Sequence, residues 1–131
     1  MKEARSLIVE IETEEQMRAL IKESKYVVVG LFDRLSSFDV PFIRVFIEVE
    51  KEFSEHAGQA GFSFAKTYIG TDQAGNSLWD EANLSSSASF VLTKNGEIED
   101  SFSAYMHEED GVKHQFFSWL LNAAAELEQT S

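Results

Sequence analysis

The run KYVVVGLF at residues 25–32 constrains the fold more than any other stretch. It is almost continuously apolar and rich in β-branched valine. It lacks the polar alternation of a strand with one face in water. Such a strand is buried on both faces, so helices must cover it from two sides. That requirement points to an α/β protein in which strands and helices alternate.

The rest of the chain supplies those elements. SLIVEI (6–11) reads as a short strand, and TEEQMRALIKES (13–24) as a helix opened by a capping box between Thr13 and Gln16. PFIRVFIEVEKEFSEH (41–56) is a strong helix with Phe42, Phe46, Val49 and Phe53 on one face, widened by Ile43, Val45 and Ile47. Asp39 is the expected N-cap of this helix, and Pro41 fits its first turn. HAGQAG (56–61) is a turn, and GFSFAKTYIG (61–70) a third strand. TDQAGNS (71–77) reads as a loop and SLWDEANL (77–84) as a short helix. SSSASFVLTK (85–94) leads into a fourth strand. Asn95-Gly96 then predicts a two-residue hairpin turn with positive φ at both positions. In the returning strand EIEDSFSAY (97–105), Ile98, Phe102 and Ala104 are expected on one face and Glu97 and Glu99 on the other, as suits an edge strand. DGVKHQFFSWLLNAAAEL (110–127) closes the chain as an amphipathic helix with Val112, Phe116, Leu120 and Leu127 in register. The order is βαβαβαββα: a mixed central sheet with a C-terminal antiparallel hairpin and helices on both faces. With 131 residues and no linker or repeat, one domain spanning 1–131 is expected.

Composition removes several functions. Acidic residues number 23 against 11 basic ones, a net charge of −12, which repels phosphate backbones and disfavours nucleic acid. Anionic membrane surfaces are disfavoured for the same reason, and no apolar run is long enough for a membrane span, so membrane insertion is not expected. Divalent cations are attracted only weakly and nonspecifically. The chain has no cysteine, which rules out disulfides, thiolate catalysis and cysteine metal sites. MKEARSLIVEIE is too short in apolar residues for a signal peptide. That leaves a cytosolic chain, or one whose targeting segment lies outside this sequence.

Two stretches carry a resemblance to the thioredoxin fold, and it extends along essentially the whole chain. SASFVLTKNGEIE (87–99) resembles the thioredoxin strand that begins at a cis-proline and ends in a lysine–asparagine–glycine hairpin, which places Ala88 at the proline position. YVVVGLFDRLS followed by Pro41 resembles the strand before the Cys-X-X-Cys motif, which places Asp33 and Ser36 where the two cysteines stand. Both thiols and the proline are missing. That pattern is similar to the redox-inactive b-type domains of the protein disulfide isomerase family. The resemblance implies a noncatalytic module that holds partner proteins or unfolded clients in a degenerate active-site groove. It also implies the lumen of the endoplasmic reticulum; the sequence by itself fits a cytosolic adaptor equally well. No cofactor is expected.

The candidate groove residues are Phe38, Phe42 and Trp79, drawn from the surplus of eleven phenylalanines and two tryptophans, with Leu84 from the segment that follows Trp79. Phe38 lies between the strand end and the helix cap, where both burial and exposure are open; if the loop is reused for binding, Phe38 is expected to be its most exposed anchor. Phe42 and Phe46 are expected mainly as core. Asp33, Ser36 and Ser37 form no hydrolytic set, since no histidine among His56, His107 and His114 falls near enough to act as base. HEEDGVKH (107–114) gathers histidines and acids at a spacing that fits no metal site; its acids suit the start of a helix instead. TDQAGNSLWDE (71–81) lacks the alternating acids of a calcium loop. The alternative function is acidic calcium buffering, as in the calsequestrin-like branch of thioredoxin-fold proteins, suggested by the charge alone. An enzyme with a glutathione-like ligand in the groove is a third reading.

Overall fold

All seven residues of β2 (Tyr26–Phe32) are buried, as its apolar run requires. It lies at the centre of a five-stranded sheet. The computed structural model describes residues 8–57, 61–104 and 109–130. The order along the sheet is β1-β3-β2-β4-β5, with β1 at Ile8–Glu10, β3 at Phe62–Tyr68, β4 at Ser89–Lys94 and β5 at Glu97–Ser103. β2 pairs in parallel with β3 and antiparallel with β4; β1 joins β3 in parallel, and β5 returns antiparallel beside β4. The helices are α1 (Glu14–Glu23), α2 (Val40–Ala57), α3 (Gln73–Glu81) and α4 (Glu109–Thr130).

Alternate side chains of β2 feed two cores, one on each face of the sheet. Tyr26, Val28 and Phe32 join Phe46, Val49 and Phe53 of α2 and Val112, Phe116 and Leu120 of α4. Val27, Val29 and Leu31 join Met17 and Leu20 of α1 and Ala74 and Leu78 of α3. The first core is aromatic. Phe46 stacks on Phe90 and Phe116 with ring centroids 5.6 and 5.7 Å apart, and Phe90 and Phe116 lie 4.4 Å apart. Gly30 makes room for these rings: a Cβ there would stand 2.7 Å from the Phe32 ring. Leu127 belongs to α4, but its side chain lies outside those described.

Local signals resolve as their chemistry requires. The Thr13 side chain accepts the Gln16 N–H at 3.2 Å, and the Gln16 side chain accepts the Thr13 N–H at 3.1 Å, closing the capping box. Asn95 and Gly96 have φ of 52° and 84°, the left-handed pair of the hairpin turn.

Three expectations need correction. α3 begins at Gln73, so most of the supposed loop 71–77 is helix. Gly75, which reads as a loop residue, sits within the helix because a Cβ there would lie 2.6 Å from the Tyr68 carbonyl oxygen. Docking on the segment that leads into α1 also sustains the start of α3: the Ala74 N–H donates to the Glu12 carbonyl at 3.0 Å. Second, Ile98 and Phe102 face opposite sides. Leu92 pairs with Asp100 and Thr93 with Ile98, so Glu99 is an extra residue that resets the alternation. Phe102 then packs on the α2–α4 core and Ile98 on the α1–α3 core. Third, Asp39 ends a single 3-10 turn (Ser37–Asp39) ahead of α2, and its carboxylate binds the N–H of Asp33.

Candidate functional site

The segment from Asp33 to Val40 joins the end of β2 to α2, and it is closed by its own hydrogen bonds. The Asp33 N–H donates to Asp39 Oδ2 at 2.7 Å, across six residues, and Asp39 is itself 3% exposed. The Leu35 N–H donates to Asp33 Oδ1 at 2.9 Å, forming an Asx turn. The Ser36 N–H donates to the Asp33 carbonyl and the Asp39 N–H to the Ser36 carbonyl, both at 3.2 Å. Both aspartates are therefore engaged by backbone donors. The Ser36 side chain makes no cap bond to the 3-10 turn. Asp39 does not cap α2 as the sequence suggested, because its carboxylate is taken by the Asp33 N–H.

Arg34 fastens this loop to the sheet. Its guanidinium carbon lies 3.8 Å from the centroid of the Tyr68 ring at the end of β3. One of its nitrogens lies 3.3 Å from Glu10 Oε1 at the end of β1. A planar cation stacked on an aromatic face and paired with a carboxylate satisfies two attractions in one geometry.

With the backbone held in this way, two large apolar side chains point into water. Leu35 is 95% exposed and Phe38 83%. Val40, at the start of α2, is 49% exposed. Phe38, placed before the helix, stays out of the core, but Leu35 is the more exposed of the two. Sequence reasoning passed over Leu35, although the leucine inside DRLSS is flanked by polar residues on both sides, with Asp33 and Ser37 at strand spacing.

The four groove candidates do not form one cluster. Phe42 is half-buried against the α2–α4 core. Trp79 and Leu84 are half-buried against the α1–α3 core. Successive crossovers place α2 and α3 on opposite faces of the sheet, which separates the two pairs. Phe46 is fully buried. Ala88, at the position aligned with the cis-proline, is 2% exposed and follows a trans bond, since no peptide bond among the described residues is cis. Its carbonyl accepts the Ala104 N–H at 2.9 Å, extending the β4–β5 ladder by one bond. His114 is exposed on α4. The His56 side chain and residues 107–110 of the histidine–acid cluster lie outside the described side chains.

The strand order and the two helical layers define a thioredoxin fold, here in a chain without a thiol. Solved structures agree. Thioredoxin of Malassezia sympodialis matches with a TM-score of 0.63 and 17% identity, over 79% of this chain and 84% of that one. Thioredoxin of Trypanosoma brucei brucei matches with a TM-score of 0.63 and 13% identity, over 92% of this chain and 97% of that one. Human ERp44 matches with a TM-score of 0.65 and 14% identity, over 92% of this chain and 30% of its own length. No protein-family model matches the chain, and no curated protein matches its sequence.

Proposed function

We propose that this chain is a noncatalytic binding module of thioredoxin fold that holds partner polypeptides through the loop at 33–40. The observation that carries the reading is the exposure of Leu35 and Phe38 on a backbone tied down at Asp33, Arg34 and Asp39. Apolar side chains left in water gain free energy when a partner covers them. Anchors on an ordered loop lose little further backbone freedom on binding, which favours their use as contact points. The loop follows β2, where a thioredoxin carries its thiols by the resemblance of the flanking residues. Disulfide exchange needs a thiolate to attack and another to resolve, so this surface can contact a polypeptide but cannot exchange its disulfides. In its finer form the reading likens the chain to the redox-inactive b-type domains of the protein disulfide isomerase family. The net charge of −12 adds a preference for apolar segments flanked by lysine or arginine.

Isothermal titration with a leucine- and phenylalanine-rich peptide flanked by lysines tests the reading. Micromolar binding is expected. Replacing both Leu35 and Phe38 with serine should weaken it at least about tenfold, with an unchanged thermal unfolding midpoint. Undiminished binding by the double variant would move the contact surface away from the loop. No binding at high micromolar peptide would overturn the proposal.

A further inference from the structure

The face formed by α1, α3 and the β4–β5 hairpin carries an open depression of about 200 Å³, separate from the loop. Its floor is formed mainly by apolar side chains, with buried Thr93 among them. Met17 and Leu78 are buried there, while Ile21 and Ile98 are half-buried. Ile98 reaches this side only because Glu99 bulges out of the strand. Gly96 sets one end, since a Cβ at that position would come within 3.0 Å of Ile21 Cγ2 and crowd the floor.

The rim is polar and its charges do not balance. Glu14 accepts a hydrogen bond from the Ser77 hydroxyl and lies 3.7 Å from the Arg18 guanidinium, so Glu14 and Arg18 compensate each other. The Glu81 side chain, also on the rim, has no ion pair or hydrogen bond among the described residues. One uncompensated carboxylate residue therefore lines the same depression as Ile21, Leu78 and Ile98, on a chain whose net charge is already −12.

We infer that this depression binds a small apolar amine. The ammonium group pairs with Glu81, and the body covers Ile21, Leu78 and Ile98. The volume admits one short alkyl chain or one phenyl ring. Burial of the body supplies the attraction, and the lone carboxylate selects a cation over an anion of the same shape. Neither element depends on Leu35, Phe38 or the proposed polypeptide binding.

Three probes with the same body and different charge test this on the full chain: n-hexylammonium, hexanol and hexanoate, each titrated while amide and methyl resonances are recorded. Hexylammonium should give saturable shifts centred on Ile21, Leu78, Gly96 and Ile98. Hexanol should bind there about fivefold more weakly, from loss of the screened charge pair, and hexanoate more weakly still. Glu81→Gln should reduce the affinity for hexylammonium to that for hexanol without moving the unfolding midpoint, because Glu81 is exposed at the end of α3. Unsaturable or scattered shifts, equal binding of hexanoate, or an unaffected Glu81→Gln variant would each overturn the inference.

Discussion

The guanidinium carbon of Arg34 lies 3.8 Å from the centroid of the Tyr68 ring, while the same group reaches Glu10. This contact joins the loop after β2 to the ends of β3 and β1. It is partly exposed, so it contributes ~0.5–1 kcal/mol rather than the larger value of a desolvated pair. Its effect should be local. Arg34→Ala should lower global stability by no more than ~1 kcal/mol. It should speed hydrogen exchange at the Leu35 and Ser36 amides well beyond that at β2. Arg34→Lys, which keeps the charge and loses the planar stack, should fall between. Unchanged exchange at Leu35 in Arg34→Ala would show that the Asp33–Asp39 bond alone holds the loop.

Gly75 is the position where intrinsic preference and packing oppose each other. Alanine in a helix interior is favoured over glycine by ~1 kcal/mol. Here the added Cβ would stand 2.6 Å from the Tyr68 carbonyl oxygen and 2.9 Å from its carbon, both backbone atoms that cannot swing aside. Packing should win. Gly75→Ala is expected to destabilise the protein by ~1–3 kcal/mol in urea unfolding, as overpacking does. A stabilised variant would mean that α3 slides outward at little cost.

These two contacts also show where sequence reading stopped. The valine run, the capping box at Thr13 and the Asn95-Gly96 turn are local signals, and each formed as its chemistry dictates. The aromatic column of α2 was legible for the same reason, since helical spacing alone places Phe46, Val49 and Phe53 together. Gly75 misled because its role depends on Tyr68, which approaches from the preceding strand. Ile98 changed face through a one-residue bulge that no alternation pattern announces. Asp39 had the right position for a cap, but a tertiary donor competed for its carboxylate. In the candidate site, the place of Phe38 between the end of β2 and the helix raised the prospect of exposure, while its spacing of four from Phe42 would equally have fitted the core column. The Arg34–Tyr68 stack joins residues far apart in sequence, and the separation of Phe42 from Trp79 follows from which face each helix takes.

Lys113 on α4 bridges two carboxylates of α2, with Nζ 2.9 Å from Glu52 Oε1 and 3.3 Å from Glu48 Oε2. Its pKa is raised above 10.5, first by the hydrogen bond to Glu52, against a smaller opposing effect of burial, and further by Glu48. A raised folded pKa means that the protonated lysine favours the folded state. The contribution is fully present below pH 10.5 and fades as the pH rises through the raised folded value. The side chain remains one-third exposed, so screening limits the contribution to ~0.2–1 kcal/mol. Lys113→Met should therefore unfold at lower urea than the parent at pH 7 and pH 9, and the gap should close above the folded pKa. A gap of constant size across that range would assign the effect to packing of the lysine stem instead.

Phe38 and Phe46 stand eight positions apart in sequence and should respond oppositely to truncation. Phe46 is fully buried and stacked on Phe90 and Phe116, so Phe46→Ala removes ring contacts and leaves a cavity in the aromatic core. The expected loss is ~3–5 kcal/mol. Phe38 is 83% exposed, and its removal takes little apolar surface out of the folded state that was not already in water. Phe38→Ala should shift stability by less than ~0.5 kcal/mol, and Leu35→Ala, at 95% exposure, should do the same. Urea unfolding of the three variants decides the matter without any knowledge of the partner. If Phe38→Ala unfolds as readily as Phe46→Ala, the ring belongs to the core in solution and the loop offers no aromatic anchor. If Phe38→Ala and Leu35→Ala are both neutral while the doubly substituted loop loses peptide affinity, the two side chains serve contact and not folding.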